Sequence, residues 1–392
     1  MKQIGLSVCY DTKNFGSQLQ VLATIKKIEE LGYKTEIIRY CKTITPKFVL
    51  QTIPRFFNPC FLKTKFGSNH RNKELQKHPE LLQQVKRRNK RFNQFAETHF
   101  TNMSSPYRGW ETLCEQAGLK YDAFLCGSDQ LWLPSNLGSH FYTLEYAPAN
   151  KPKIAYATSF GVSRIPWFQK KSTARYLNRF SALSSREEKG TAIIKGLTGK
   201  DVPVVCDPTL LLSYDEWTKL IPSKRLIEDK YIFCYFLGTN LEHRKIAREL
   251  RAKTGLSIVS VPFLDNYVDE DRTFGDVRLF DMDSGDFVNL IRNAEYVLTD
   301  SFHGSVFSIL NHKQFITLNR FADENKNSRN SRIETLCSIL ALEDRRYKNA
   351  DICEQINAEI DYDSVEDRLS ELRSKSAEYL SKALKGENGN VS

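Results

Sequence analysis

Residues 287–310 read FVNLIRNAEYVLTDSFHGSVFSIL, and their order decides the fold. Phe287, Leu290, Ile291 and Ala294 recur at helical spacing. Residues 296–298 form a short apolar run that reads as a buried strand. Thr299-Asp300-Ser301-Phe302-His303-Gly304 then breaks the strand, and a second apolar helix begins at once. Helix, strand and helix in this order belong to an α/β fold built on a parallel sheet. Ligands in such folds sit outside the carboxyl ends of the strands. The free N–H groups and dipole of the following helix favour an anion, and a histidine placed there titrates near neutral pH. The junction therefore predicts a reaction site for a negatively charged substrate. An ordinary strand-to-helix turn, with Asp300 or Ser301 as N-cap, is the competing reading of the same residues.

The pattern repeats outward from this stretch. Strands are expected at residues 4–9, 35–40, 121–126, 154–157, 182–184 and 204–206. Four of them close in polar residues: Gly127-Ser128-Asp129-Gln130, Thr158-Ser159-Phe160-Gly161, Ser185-Arg186-Glu187 and Asp207-Pro208-Thr209. A second set at 231–236, 257–261, 296–298 and 315–317 alternates with helices at 241–254, 284–293, 304–311 and 331–340. Between the two sets lies the charged segment 213–229, which holds Pro222. The expected architecture is α/β, with two Rossmann-like domains facing a cleft in a GT-B-like arrangement. The first covers 1–215 and carries a basic helical insertion at 42–100. The second covers 230–345, and a charged helical tail follows over 346–392.

Composition narrows the class. A chain of 392 residues exceeds one typical core. Hydrophobic residues at 41% and charged residues at 27% describe a globular protein. No apolar run of about 18 residues occurs, and MKQIGLSVCYD has no signal-peptide pattern, so a cytoplasmic location is expected. Nine cysteines are scattered without a C-x-x-C pair, and no metal motif is present, so neither a metal nor a cofactor is expected.

The charge is uneven. Residues 42–92 hold thirteen Lys or Arg against Glu74 and Glu80, while the whole chain carries +10. The excess thus belongs to one segment. Its first half also holds Phe48, Val49, Leu50, Ile53, Phe56, Phe57, Phe61 and Leu62. Cations beside exposed aromatics suit an anionic membrane surface. A solvated basic helix over 73–98, preceded by a loop, is the plainer reading. Nucleic acid is not expected as a partner.

Several of these strand ends carry a resemblance. They are Asn14-Phe15-Gly16-Ser17 with Leu19-Gln20, Tyr121-Asp122-Ala123-Phe124 closing in Gly127-Ser128-Asp129-Gln130-Leu131-Trp132, and Ala155-Tyr156-Ala157-Thr158-Ser159-Phe160-Gly161. Ser185-Arg186-Glu187, Asp207-Pro208-Thr209, Thr299 through Ser305 and Ser331-Arg332-Ile333 complete the set. In this order, over roughly residues 1–345, the chain resembles the polysaccharide pyruvyl transferase family. The insertion at 42–92 lies outside the shared pattern. Some members carry a different pair where this chain has Ser301-Phe302.

The resemblance implies a two-domain fold like that of one large glycosyltransferase class. It also implies transfer of pyruvate from phosphoenolpyruvate to two hydroxyls of a sugar as a cyclic ketal. Phosphoenolpyruvate is anionic at both ends, and arginine meets carboxylate and phosphate through paired hydrogen bonds. Arg186, His303, Ser301, Gly304 and Arg332 are therefore the expected donor contacts. His303 is the candidate general acid, with Asp129, Asp207 and Asp300 as candidate bases. Asn14, Gly16, Gln18, Ser159 and Trp132 are assigned to the acceptor, although an Asx turn explains Asn14 and a core position explains Trp132. The implied setting is bacterial capsule or exopolysaccharide synthesis on a lipid-diphosphate-linked sugar, with peripheral attachment to the membrane. Two other functions fit the same architecture: a nucleotide-sugar glycosyltransferase, and a non-catalytic component of a polysaccharide assembly complex.

Overall fold

The fold is that of a computed structural model, which describes residues 1–46, 49, 50, 53, 59–135, 137, 140–265, 267–321 and 330–387. Phe48, Phe56 and Phe57 of the basic segment lie outside the described residues.

Two parallel five-stranded sheets form the frame. The first contains β1 (Gln3–Ser7), β2 (Lys34–Ile37), β5 (Ala123–Cys126), β6 (Lys153–Thr158) and β7 (Ala182–Ser185), in the order β2-β1-β5-β6-β7. A small sheet pairs β3 (Tyr40–Cys41) with β4 (Tyr107–Arg108). The second large sheet contains β8 (Tyr231–Tyr235), β9 (Ser257–Ser260), β10 (Val277–Arg278), β11 (Tyr296–Thr299) and β12 (Gln314–Thr317), in the order β10-β9-β8-β11-β12. Each order reverses direction once, at β1/β5 and at β8/β11. These are the topological switch points where open α/β sheets bind ligands. Val204 makes only a single bridge to Ser185, so the strand expected at 204–206 is reduced to one pairing. Pro208 follows almost at once and turns the chain into a helix.

The first domain holds α1 (Phe15–Glu30), α2 (Pro59–Lys77), α3 (Pro79–His99), α4 (Trp110–Lys120), α5 (Trp167–Leu177), α6 (Glu188–Thr198), α7 (Pro208–Leu211) and α8 (Tyr214–Leu220). The basic insertion is thus a pair of helices rather than the single helix expected at 73–98. Pro79 lacks the N–H that would continue the first helix, so it opens the second. The second domain holds α9 (Glu242–Thr254), α10 (Ser284–Asn293), α11 (Phe302–Leu310), α12 (Ser331–Leu340) and α13 (Ile352–Asn357). Helix α14 (Tyr362–Lys385) returns to the first domain. There Ser376 Oγ accepts the Cys206 N–H at 2.9 Å, Tyr379 Oη donates to the Ala155 carbonyl at 3.1 Å, and Arg373 Nε donates to the Leu210 carbonyl at 2.8 Å.

One apolar cluster runs through both domains. Its junction is aromatic: Phe15 of α1 stacks on Phe92 of α3 and on Phe287 of α10, each at a centroid distance of 4.9 Å. Gln18 stitches the same three helices. Its Nε2 donates to the Phe92 carbonyl at 2.9 Å, and its Oε1 accepts from Ser284 Oγ at 2.8 Å. Charge reinforces the seam. Arg88 meets Asp265 at 3.0 Å, and Arg91 meets Asp283 at 2.7 Å and Asp286 at 2.6 Å. Part of the basic face seen in the sequence therefore points inward, against acids of the second domain. Lys86, Arg87 and Lys90 remain exposed. Among the described residues, no helix is long and apolar enough to cross a membrane.

Candidate active site

A cleft of about 310 Å³ opens where the two switch points face each other. Cys9, Thr12, Asn14 and Ser17 reach it from beyond β1, and Asp129, Gln130 and Leu131 from beyond β5. Leu237 follows β8, and Ser301, Phe302 and His303 follow β11. Tyr142, Arg320 and Arg332 complete the lining.

Helices α1 and α11 both start at this cleft. Asn14 caps α1 by accepting the Ser17 N–H at 3.1 Å, and Ser301 caps α11 by accepting the Gly304 N–H at 3.4 Å. Neither helix has an acidic residue in its first turn. The first-turn N–H groups of Phe302 and His303 precede the first intrahelical bond, Ser305 to Ser301. Their partial positive charge faces a site that no protein carboxylate of that turn neutralises.

Beneath the cleft lies a buried ionic cluster. Arg186, its side chain 1% exposed, donates to Asp207 Oδ2 at 2.7 Å, to Asp129 Oδ1 at 3.2 Å and to Ser128 Oγ at 3.4 Å. Ser128 Oγ donates to Asp207 Oδ2 at 2.8 Å. The other Asp207 oxygen accepts from the Thr209 N–H and hydroxyl and lies 3.6 Å from His303 Nε2. Burial alone raises both carboxyls. For Asp207 the facing His303 and Arg186 overcome it, and for Asp129 the charges of Arg186 and His303 and the Ser17 hydroxyl do so. Both carboxyls end well below the usual carboxylate range and stay ionised. Ser17 Oγ donates to Asp129 Oδ2 at 2.7 Å. Asp129 itself sits at φ 83°, a left-handed conformation that costs a non-glycine residue about 1–3 kcal/mol. Its Oδ1 accepts the following N–H, of Gln130, at 2.8 Å.

His303 is 6% exposed, and its Nε2 has no hydrogen-bond partner among the described residues. Its other face rests on Gly16: a Cβ there would sit 1.9 Å from His303 Nδ1. Gly16 thus lets the start of α1 close on the imidazole of the opposite domain.

Arg332 is the exceptional cation. It is 8% exposed and forms no hydrogen bond or ion pair with any described residue, and its Nε is buried without a partner. Its guanidinium lies 5.6 Å from the Phe302 centroid, and that of Arg186 lies 4.9 Å from the same ring. Burial, then the charge of Arg186, pulls the Arg332 guanidinium down to about 9. It remains charged at neutral pH, as a cation whose water has been removed without replacement.

The structure brings His303, Asp129, Asp207, Arg186, Arg332, Ser301, Asn14 and Gly16 together and sets other candidates apart. Asp300 does not face the cleft. Its two oxygens accept the Leu237 and Gly238 N–H groups at 2.7 and 2.8 Å, so it fixes the turn after β8. Arg186 is occupied by two carboxylates and serves them rather than a donor. Trp132 is fully buried, donates to the Tyr142 carbonyl at 3.0 Å and packs on Phe160, Tyr176 and Phe180. Gln18 is spent on the domain seam. Ser159 is buried, donates to Glu187 Oε1 at 2.7 Å and does not line the cleft. Gly304 is a packing glycine, since a Cβ there would meet Thr299 Oγ1 at 2.4 Å, and Gly16 meets a histidine rather than an acceptor. Ser17, Gln130, Tyr142 and Arg320 line the cleft without having been singled out. Ser17 and Gln130 stand inside the quoted motifs. Tyr142 and Arg320 stand in segments without periodicity, where sequence offers no signal.

A family model described as polysaccharide pyruvyl transferase matches residues 14–320. No curated protein sequence matches the chain. Among solved structures, it is similar to the UDP-GlcNAc 2-epimerase from Neisseria meningitidis bound to UDP-GlcNAc, with TM-score 0.48 and 12% identity over 98% of each chain. It is also similar to the UDP-GlcNAc 2-epimerase from Methanocaldococcus jannaschii, with TM-score 0.46 and 12% identity over 88% of this chain and 94% of that one.

Proposed function

The chain belongs to the polysaccharide pyruvyl transferase family, and from that premise we propose that its cleft moves pyruvate from phosphoenolpyruvate to two hydroxyls of a sugar as a cyclic ketal. One observation carries the choice of donor: Arg332 is buried, charged and without a hydrogen-bond or ion-pair partner among the described residues, beside the N-terminus of α11. A small dianion supplies what both lack, and each charge-assisted hydrogen bond contributes about 1.5–3 kcal/mol. Arg320, which donates to the Asp300 carbonyl at 2.8 Å and lies 3.5 Å from the Asp300 carboxylate, lines the same wall.

The residues then divide the chemistry. His303, with its Nε2 held 3.6 Å from the Asp207 carboxylate, gives a proton to C3 of phosphoenolpyruvate. One sugar hydroxyl bonds to C2 and passes its proton by way of Asp129 to the departing phosphate. The C2–O bond to phosphate breaks, with the leaving oxygen held by Arg332 and the α11 N–H groups. The second hydroxyl bonds to C2, and its proton restores the charge of the histidine. Overall, one hydroxyl proton ends on C3 and the other leaves with phosphate. Asp207 and Arg186 touch no reacting atom in this scheme and position the imidazole and Asp129.

For the acceptor we propose a sugar on a lipid diphosphate, in bacterial capsule or exopolysaccharide synthesis, reached at the membrane surface. In support, α2 and α3 expose Leu62, Phe66 and Leu82, and α3 also exposes Lys86, Arg87 and Lys90. Such a face suits an anionic interface.

The test is incubation of the full chain with phosphoenolpyruvate and acceptors ending in galactose, mannose or N-acetylhexosamines, read by phosphate release and by product mass. Acceptor-dependent phosphate release together with a ketal product is expected. Turnover that requires a nucleotide sugar, or no phosphate release with any acceptor, would overturn the reading.

A further inference from the structure

The two walls of the cleft differ in chemistry. The second domain lines it with Ser301, Phe302, His303, Arg320 and Arg332, a wall of cations and helix N–H groups. The first domain lines it with Thr12, Asn14, Ser17, Gln130, Leu131 and Tyr142, all uncharged, and with Asp129 as its one ion. A dianion and a neutral polyol sort themselves onto opposite walls by this difference alone. Tyr142 is the aromatic residue of the first-domain wall, half-buried as a residue and lining the cleft. Its phenolic oxygen has no hydrogen-bond partner among the described residues. Its backbone is held in place, because the carbonyl accepts from Trp132 Nε1 at 3.0 Å and the ring meets Phe141 at 5.1 Å. Burial, followed by the nearby Cys9 and Asp11, pushes the phenol well above its ordinary range, so it stays a neutral donor.

We infer that Tyr142 is the recognition platform for the acceptor, stacking on the apolar face of a neutral pyranose and hydrogen-bonding one of its hydroxyls. The inference rests on the pyruvyl-transfer reading for the second substrate, not for the binding of the sugar. An aromatic face presents both an apolar body and a polar tip, which is the combination a sugar offers in return. Arg332 and Tyr142 then act on different substrates, and their substitutions separate.

The experiment uses the full chain and methyl glycosides of galactose, glucose, mannose and N-acetylglucosamine. Glycoside binding is read by saturation-transfer NMR, phosphoenolpyruvate binding by calorimetry, and turnover by phosphate release. For the glycoside that binds best, Tyr142→Ala is expected to weaken binding and raise its KM by about tenfold, and Tyr142→Phe by about threefold, as loss of a ring contact and of one hydrogen bond implies. Phosphoenolpyruvate affinity stays within about twofold in both variants, since neither contact touches the donor. Glycoside binding that is unchanged in Tyr142→Ala overturns the inference, as does a wild type that binds none of the four. So does an equal loss of donor affinity. If phosphoenolpyruvate fails to bind while a glycoside binds through Tyr142, the donor reading falls and the platform stands.

Discussion

In helix α3, Arg88 is 7% exposed and lies 3.0 Å from Asp265; in the cleft, Arg332 is 8% exposed and meets no carboxylate among the described residues. The two arginines have lost nearly the same amount of water. One regained a partner on folding and the other did not. A compensated cation records how the chain holds itself together, here by fastening the basic hairpin to the second domain. An uncompensated one records an interaction the protein has yet to make, because an isolated buried charge is costly unless something arrives to meet it. Charge density along the sequence marked the hairpin, whereas Arg332, past the end of the family match, is the residue on which the proposed donor site rests.

Six variants probe that contrast. His303→Ala has the largest expected effect: turnover falls by about 10²–10⁴-fold, the range of a lost general acid, while the phosphoenolpyruvate dissociation constant moves far less. Similar losses in turnover and affinity would make His303 a binding residue. Gly16→Ala comes next. The added methyl must displace the imidazole, and a misplacement of about 1 Å costs roughly 10²-fold in turnover. Near-normal activity with an unaltered melting curve would show that α1 gives way and the contact is incidental.

Arg332→Met is expected to weaken phosphoenolpyruvate binding by about 10- to 150-fold, the equivalent of one charge-assisted contact, with little loss of stability. Arg186→Met does the reverse. It strands the buried Asp207 carboxylate and frees the partly exposed Asp129, and costs about 3–5 kcal/mol in denaturant unfolding. Equal behaviour of the two variants would erase the distinction between a cation already paired and one in waiting. The smallest effects lie in the hairpin. Arg91→Met removes partly exposed ion pairs and costs about 1 kcal/mol, less at high salt. Replacing the outward Lys86, Arg87 and Lys90 with glutamine leaves stability unchanged and weakens co-sedimentation with anionic vesicles, since each contributes about 1 kcal/mol near such a surface. Equal sedimentation of this variant and the wild type would remove the membrane from the account.

Much of the frame was legible. Short apolar runs with polar ends marked nearly all the long-sheet strands, because a strand buried on both faces has to be continuously apolar. Two-residue strands such as β3 and β10 carry no such signature. Residues at the strand ends were legible as a set but not one by one. Asp207 and Asp300 both follow a short apolar run, yet one turns toward His303 and the other toward the Leu237 and Gly238 amides. That choice depends on which loop lies alongside, a fact of topology rather than of local sequence. Trp132 and Tyr142 stand ten residues apart in one loop, and only the packing of Phe160, Tyr176 and Phe180 decides which of them is enclosed. Arg332 was legible as a cation near a helix start, but its isolation is a property of three dimensions.

Helix α14 carries a mechanical consequence. The chain leaves the first domain once after α8, and its last helix comes back to lie on β6 and on the turn after Cys206. The domains are thus joined by two covalent threads instead of one. A body held at one point can swivel in any direction, whereas a body held at two turns mainly about the line between them, as a door does on its pins. Any opening of the cleft is thereby confined mainly to that one axis.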